Sequence, residues 1–207
     1  METRAGWRAS KRQLHGQKSL GCCVIGAVAL NDLNAMLYLK CTGDVQKAIG
    51  LHKTQLSPIE PSDAPLGHWM VNRFMVKRRK AYVFMSESTL LSFILLSGKV
   101  PMTPQRLPDM LIGGLVQLLQ MRGLPGDAIA RAIDPCIEFR YAKNDNRAAM
   151  GCMNDMVWRY QSMIDYMGGL AHCDVTEIIF KMNKTPQRTI GWANSWDVAE
   201  SKLRTLS

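Results

Sequence analysis

"HWMVNRFMVKRRKAYVFMS", residues 68–86, holds two runs rich in aromatic and β-favouring side chains, 68–76 and 81–86, either side of "KRRK". Such runs separated by a short polar link predict a β-hairpin with a basic tip. The link carries neither Gly nor Asn, so the expected connection is a loose four-residue loop over Lys77, Arg78, Arg79 and Lys80 rather than a tight primed turn. Because neighbouring stretches read as helices, a hairpin here makes the chain an α+β protein.

Upstream, "MLYLKCT" (36–42) alternates in its middle and predicts a short strand, and "GDVQKAIGL" (43–51) a short helix with Val45, Ala48 and Ile49 on one face. Residues 57–67 carry three Pro and one Gly and read as a loop. Downstream, "SESTLLSFILLSG" (86–98) opens with a Ser/Glu start pattern, closes on Gly and predicts a buried helix. Residues 103–123 predict a helix with Pro near its start and Gly123 at its close, and 125–133 a second. "CIEFRYA" (136–142) alternates as a half-buried strand. A long helix follows, with Met150, Met153, Val157, Tyr160, Met163, Ile164 and Met167 on its apolar side and Gly168-Gly169 as its stop. Residues 174–184 predict a last helix before a tail that holds Trp192 and Trp196. The expected architecture is a small mixed, mostly antiparallel sheet of about four strands packed against several helices. No strand leads into a Gly-rich phosphate-binding turn.

Residues 1–35 differ in kind from 36–207, which read as a single α+β domain. The segment is basic and weakly periodic, with an apolar run from Leu20 to Leu30 that is too short for a bilayer span of about 20 residues. It reads as a flexible extension or an over-early start, with an atypical secretory signal as the alternative. The six Cys show no paired spacing, the four His have no acid or second His at metal-ligand spacing, and no metal or cofactor is expected. Reduced thiols, a cytoplasmic location and no membrane contact follow. A net charge of +9 is compatible with an acidic partner without naming one. The fourteen Met read first as core filler.

The stretch that carries chemistry is "NDNRAAMGCMND" (144–155). Asp145 or Asn146 can cap the helix that starts near Arg147, with Gly151 allowing a strand to approach. The competing reading is a site: Arg147, Gly151 and Asn154 or Asp155 share one helix side, beside an N-terminus suited to an anion. "KNDNRAAMGCMNDM" resembles the Asn-Arg-x-x-x-Gly-Ser-Met-Asn-Asp signature of an uncharacterised bacterial domain family, with Cys152 in place of the Ser. The "KCT" strand and a hairpin containing Trp69, Asn72, Arg78, Arg79 and Lys80 resemble the same family over about residues 36–205. The resemblance implies a plasmid or mobile-element setting but no activity. The expected function is an accessory protein that binds a macromolecule or small anion through Asn146, Arg147, Gly151, Asn154 and Asp155. One alternative is a nucleic-acid binder that uses Lys77, Arg78, Arg79 and Lys80, with Trp69 and Phe74 on the same element. Another is an enzyme built on Arg147, Asn154 and Asp155. "AHCD" (171–174) sets His172, Cys173 and Asp174 in a row, but consecutive residues rarely point the same way.

Overall fold

The computed structural model of the chain describes residues 36–204. The expectations for residues 1–35 lie outside them. Five strands form one mixed sheet: β1 (Leu37–Cys41), β2 (Trp69–Val76), β3 (Arg79–Ser86), β4 (Ser92–Leu96) and β5 (Phe139–Lys143), in the order β4-β3-β2-β1-β5. β1 runs parallel to both β2 and β5, whereas β2-β3 and β3-β4 are antiparallel. All five residues of β1 are buried, as a central parallel strand covered on both faces must be.

The sheet has one strand more than expected because residues 86–98 are not a helix. Ser86 Oγ donates to the Leu66 carbonyl and accepts from Thr89 N–H, which closes a tight turn in which Leu90 takes φ 56°. The chain then returns as β4, with Ala81 to Met85 paired against Leu96 to Ser92. An apolar run with no polar side fits a buried strand as well as a buried helix, and pairing with β3 decides between them. The β2-β3 connection is also tighter than expected. Val76 pairs with Arg79, so only Lys77 and Arg78 form the turn, and Lys77 supplies the positive φ (53°) that Gly or Asn usually provides. Arg79 and Lys80 belong to β3.

The helices are α1 (Gly43–Ile49), α2 (Arg106–Arg122), α3 (Gly126–Ile133), α4 (Arg147–Tyr166), α5 (Val175–Lys184) and α6 (Ser195–Arg204). The last replaces the expected tail: Trp196 is buried beside Phe180 of α5, and the Arg122 guanidinium of α2 lies over its ring. One sheet face carries Phe93 in ring contact with both Trp69 and Phe84 and receives α2. Across the other, Lys40, Met70, Met85, Ser92 and Ala142 stand in register. Ser92 on that face meets α4 through Tyr160 Oη and α5 through Asn183. Asn183, fully buried, accepts from Ser92 N–H at 2.8 Å and donates to the Ser92 carbonyl at 2.6 Å. It thus satisfies edge-strand groups that no further strand pairs. Met70, Met85, Met153, Met156 and Met182 are all buried, the core role expected of the methionines.

Gly114 lets α2 lie close to β4, because a Cβ there would run into the Phe93 ring and sit 2.9 Å from Leu95 Cδ1. A Gly114→Ala protein is expected to lose about 1–3 kcal/mol, the usual cost of overpacking, read from its urea-unfolding midpoint. Gly113→Ala, with open space at that Cβ, should lose nothing of the kind.

Candidate functional site

The 144–155 segment divides into an inward half and an outward half. Asn146 is the N-cap of α4: its side-chain oxygen accepts from Ala149 N–H at 3.0 Å, while its Nδ2 donates to Glu87 Oε1 at 2.7 Å. Lys40, only 4% exposed, places its ammonium 2.8 Å from Glu87 Oε2 and 3.0 Å from Asp145 Oδ1. One strand, β1, the β3-β4 turn and the segment that leads into α4 are therefore tied to one buried cation. The hydrogen bond from Lys40 holds the Asp145 carboxyl below its ordinary range. His68, next to this group, donates from Nε2 to the Glu60 carbonyl and meets Tyr38 edge-on at 5.1 Å. Burial first, and the Lys40 charge second, push the His68 pKa below 6.5. His68 Nδ1 and Tyr38 Oη are buried without a hydrogen-bond partner among the described residues.

The outward half behaves differently. Arg147, Gly151, Asn154 and Asp155 are all exposed. A Cβ added at Gly151 would meet nothing within 4 Å, so this glycine does not serve a close approach to a strand, contrary to expectation. The side chains of Arg147, Asn154 and Asp155 make no hydrogen bond or ion pair among the described residues. At three- and four-residue steps the same side of α4 continues through Trp158, Ser162 and Asp165. Trp158 is 67% exposed.

That stripe ends at the β2-β3 tip. Gln161 Nε2 donates to the Met75 carbonyl at 3.0 Å, and the Lys77 ammonium lies against Gly169, just past the end of α4. A pocket of about 300 Å³ opens between the two elements, lined by Met75, Val76, Lys77, Trp158, Gln161, Ser162 and Asp165. Arg79 pairs with Val76 across the hairpin, and cross-strand partners share a face, so Arg79 stands on the α4 side. Lys77, Arg78, Arg79 and Lys80 are all exposed, and none has an acidic partner among the described residues. The helix that 144–155 opens thus meets the hairpin tip at its far end, through Trp158 to Asp165, with Lys77 and Arg79 on that side and Lys80, paired with Met75, on the other. The structure removes Trp69 and Phe74 from consideration as ligand contacts, because both are buried.

Sequence reasoning missed Lys40, Glu87, His68 and Tyr38, for a Lys in an alternating strand reads as solvent-facing. Trp158 did leave a signal: it falls outside the apolar spacing of its helix. Asp174 of "AHCD" is the N-cap of α5, accepting from Thr176 and Glu177 N–H. Burial pushes the Cys41 and Cys136 thiols up to about 12, which leaves both inert at neutral pH. Among the described residues no group of three His, Cys, Asp or Glu is placed to hold a metal ion, and no helix is long and apolar enough to cross a membrane.

Residues 38–198 match the model of a family described as "Domain of unknown function (DUF6933)", and the chain belongs to that family. A comparison with curated proteins found no match. Among solved structures, the catalytic core domain of BIV integrase is similar over 66% of this chain and 95% of its own, at 11% identity and a TM-score of 0.43. A chain of the simian T-cell lymphotropic virus intasome in complex with PP2A regulatory subunit B56 gamma is similar over 81% of this chain and 65% of its own, at 12% identity and a TM-score of 0.44. Both likenesses are distant.

Removing one partner of a buried ion pair strands the other. Lys40→Ala is expected to cost about 3–5 kcal/mol in urea unfolding, and Lys40→Met combined with Glu87→Gln to recover most of that loss. The pH dependence has a definite sign. His68 takes up its proton less readily in the fold than in the unfolded chain, so stability falls as pH drops from 6.5 through its lowered folded value. Asp145 contributes stability above 3.8 that is lost as pH falls through its depressed value. Thermal melts of His68→Gln should lack the first decline, and those of Asp145→Asn the second.

Proposed function

We propose that this member of the DUF6933 family is a binding protein whose partner is a macromolecule, held on the outer side of α4 and the β2-β3 tip. The observation that carries the reading is Trp158, an indole two-thirds in water, on the α4 side that meets the tip with Lys77, Arg78 and Arg79, cations with no ion pair among the described residues. Exposed apolar surface forgoes about 25 cal/mol per Å² until something covers it. Trp and Arg are also the side chains on which interface energy concentrates.

The same geometry weighs against a small anion at the helix start. Asn146 already occupies Ala149 N–H, and the carboxylates of Glu87 and Asp145 stand at that end of α4. A second anion would meet two negative groups and one cation they have already neutralised. The enzyme reading on Arg147, Asn154 and Asp155 lacks any group that orients them, since catalysis needs reacting groups held in place. Nucleic acid, the alternative carried by the tip, shares the surface proposed here rather than competing for another. The bacterial and mobile-element setting implied by the resemblance, the cytoplasmic location expected from the cysteines, and the single domain over 36–207 belong to this proposal.

A photo-crosslinking side chain placed at Trp158 or at Arg78, in the full chain inside cells, tests the surface. The expected result is a discrete crosslinked product from both positions and none from Ile137, which is equally exposed but lies just before β5. Equal labelling from all three positions, or none from any, would sink the proposal.

A further inference from the structure

We propose that the partner is single-stranded nucleic acid, with its phosphates on Lys77, Arg78 and Arg79 and one base seated against Trp158 in the adjoining pocket. The inference rests on the surface assigned above and names what it holds.

Charge comes first. Four consecutive cations, Lys77 to Lys80, face solvent with no ion pair among the described residues. The two-residue turn gathers Lys77 and Arg78 at one point, and the Val76-Arg79 pairing turns Arg79 toward α4. Such a cluster suits a polyanion that sheds counterions on binding. The pocket comes second. At about 300 Å³ it sits at the small end of ligand pockets, which suits one planar group. Trp158, Gln161, Ser162 and Asp165 of α4 line it opposite Met75, Val76 and Lys77. An aromatic face beside a basic track is the arrangement on which unpaired bases stack, whatever their sequence.

The acids fix the orientation. Asp155 and Asp165 lie on the same side of α4 as Trp158, so phosphates are repelled there and drawn to the tip. A carboxylate at the pocket rim instead accepts from the exocyclic amino or ring N–H groups of a base. Duplex nucleic acid meets this surface poorly, because its base faces are already stacked and only its backbone reaches the tip. A protein segment would meet the cations but has no requirement for the indole wall and amide edge together.

The test is fluorescence anisotropy with the full chain and a labelled oligonucleotide of about 12 residues, single-stranded or annealed to its complement, at about 50 and 200 mM salt. The single strand should bind more tightly than the duplex. Trp158→Ala should weaken binding roughly tenfold or more with the salt slope unchanged, and Trp158→Phe should restore most of it. Arg78→Gln with Arg79→Gln should lower the slope by about 1.4, at about 0.7 per phosphate. Circular dichroism and thermal melts confirm that each variant stays folded, which the exposure of these side chains favours. Equal or tighter binding of duplex, or indifference to Trp158→Ala, overturns the inference. Failure of every oligonucleotide, alongside nuclease-resistant crosslinks from positions 78 and 158, overturns it while the surface assignment stands. Absence of those crosslinks overturns both.

Discussion

The ammonium of Lys40 is the point from which the arrangement of the outer side is set. A cation this deeply buried cannot stay in the fold uncompensated, and Glu87 and Asp145 are the compensation. Glu87 arrives on the β3-β4 turn and Asp145 just before α4, so meeting the charge fixes where both segments lie. Asn146 then joins the two demands, capping α4 with its oxygen while its amide holds Glu87. With the first turn of α4 pinned in this way, the rotation of the whole helix is determined. Trp158, eleven residues on and roughly 16 Å along the axis, is carried outward and toward the tip.

This division of labour answers the question that the 144–155 segment poses. Asp145 and Asn146 tie the helix start to the fold, Ala149 and Met153 face the core, and Arg147, Gly151, Asn154 and Asp155 face solvent. Capping signals made the start of α4 legible, since Asn is a strong N-cap and the apolar spacing begins directly after it. The exposed side was legible too, as the complement of that spacing. What the sequence could not convey was that the stripe ends at the hairpin tip, because residues 75–77 and 158–165 meet only through the tertiary fold. Lys40 was illegible for a different reason. Its two partners lie 47 and 105 positions away, and nothing local distinguishes a paired Lys from a solvated one.

Two elements were misread for different reasons. Residues 92–96 are apolar on both sides, so periodicity did not separate strand from helix, whereas 195–204 do carry a polar side in Asp197, Ser201, Lys202 and Arg204, a helical pattern that the reading as a tail passed over. Their neighbours decided. β3 offered an open edge to the first, and the gap between Phe180 and Arg122 received Trp196 of the second. The turn at Lys77 and Arg78 is similar: cross-strand pairing of the whole hairpin outweighs the local cost of a left-handed Lys, about 1–2 kcal/mol.

The parallel pairing of β1 shapes how the chain is made. β1 is the first of the described strands, yet one of its two neighbours, β5, is translated about a hundred residues later, Leu37 pairing with Phe139. At roughly 5–20 residues per second, a strand of five inward-bound residues waits on the order of ten seconds on the ribosome with one edge unpaired. During that interval β2 alone can shield it, and the Lys40 side chain has Glu87 but not Asp145 to meet. Lys40, the last residue but one of "LYLKC", puts a charge into an apolar strand of the kind that, left unpaired, tends to associate.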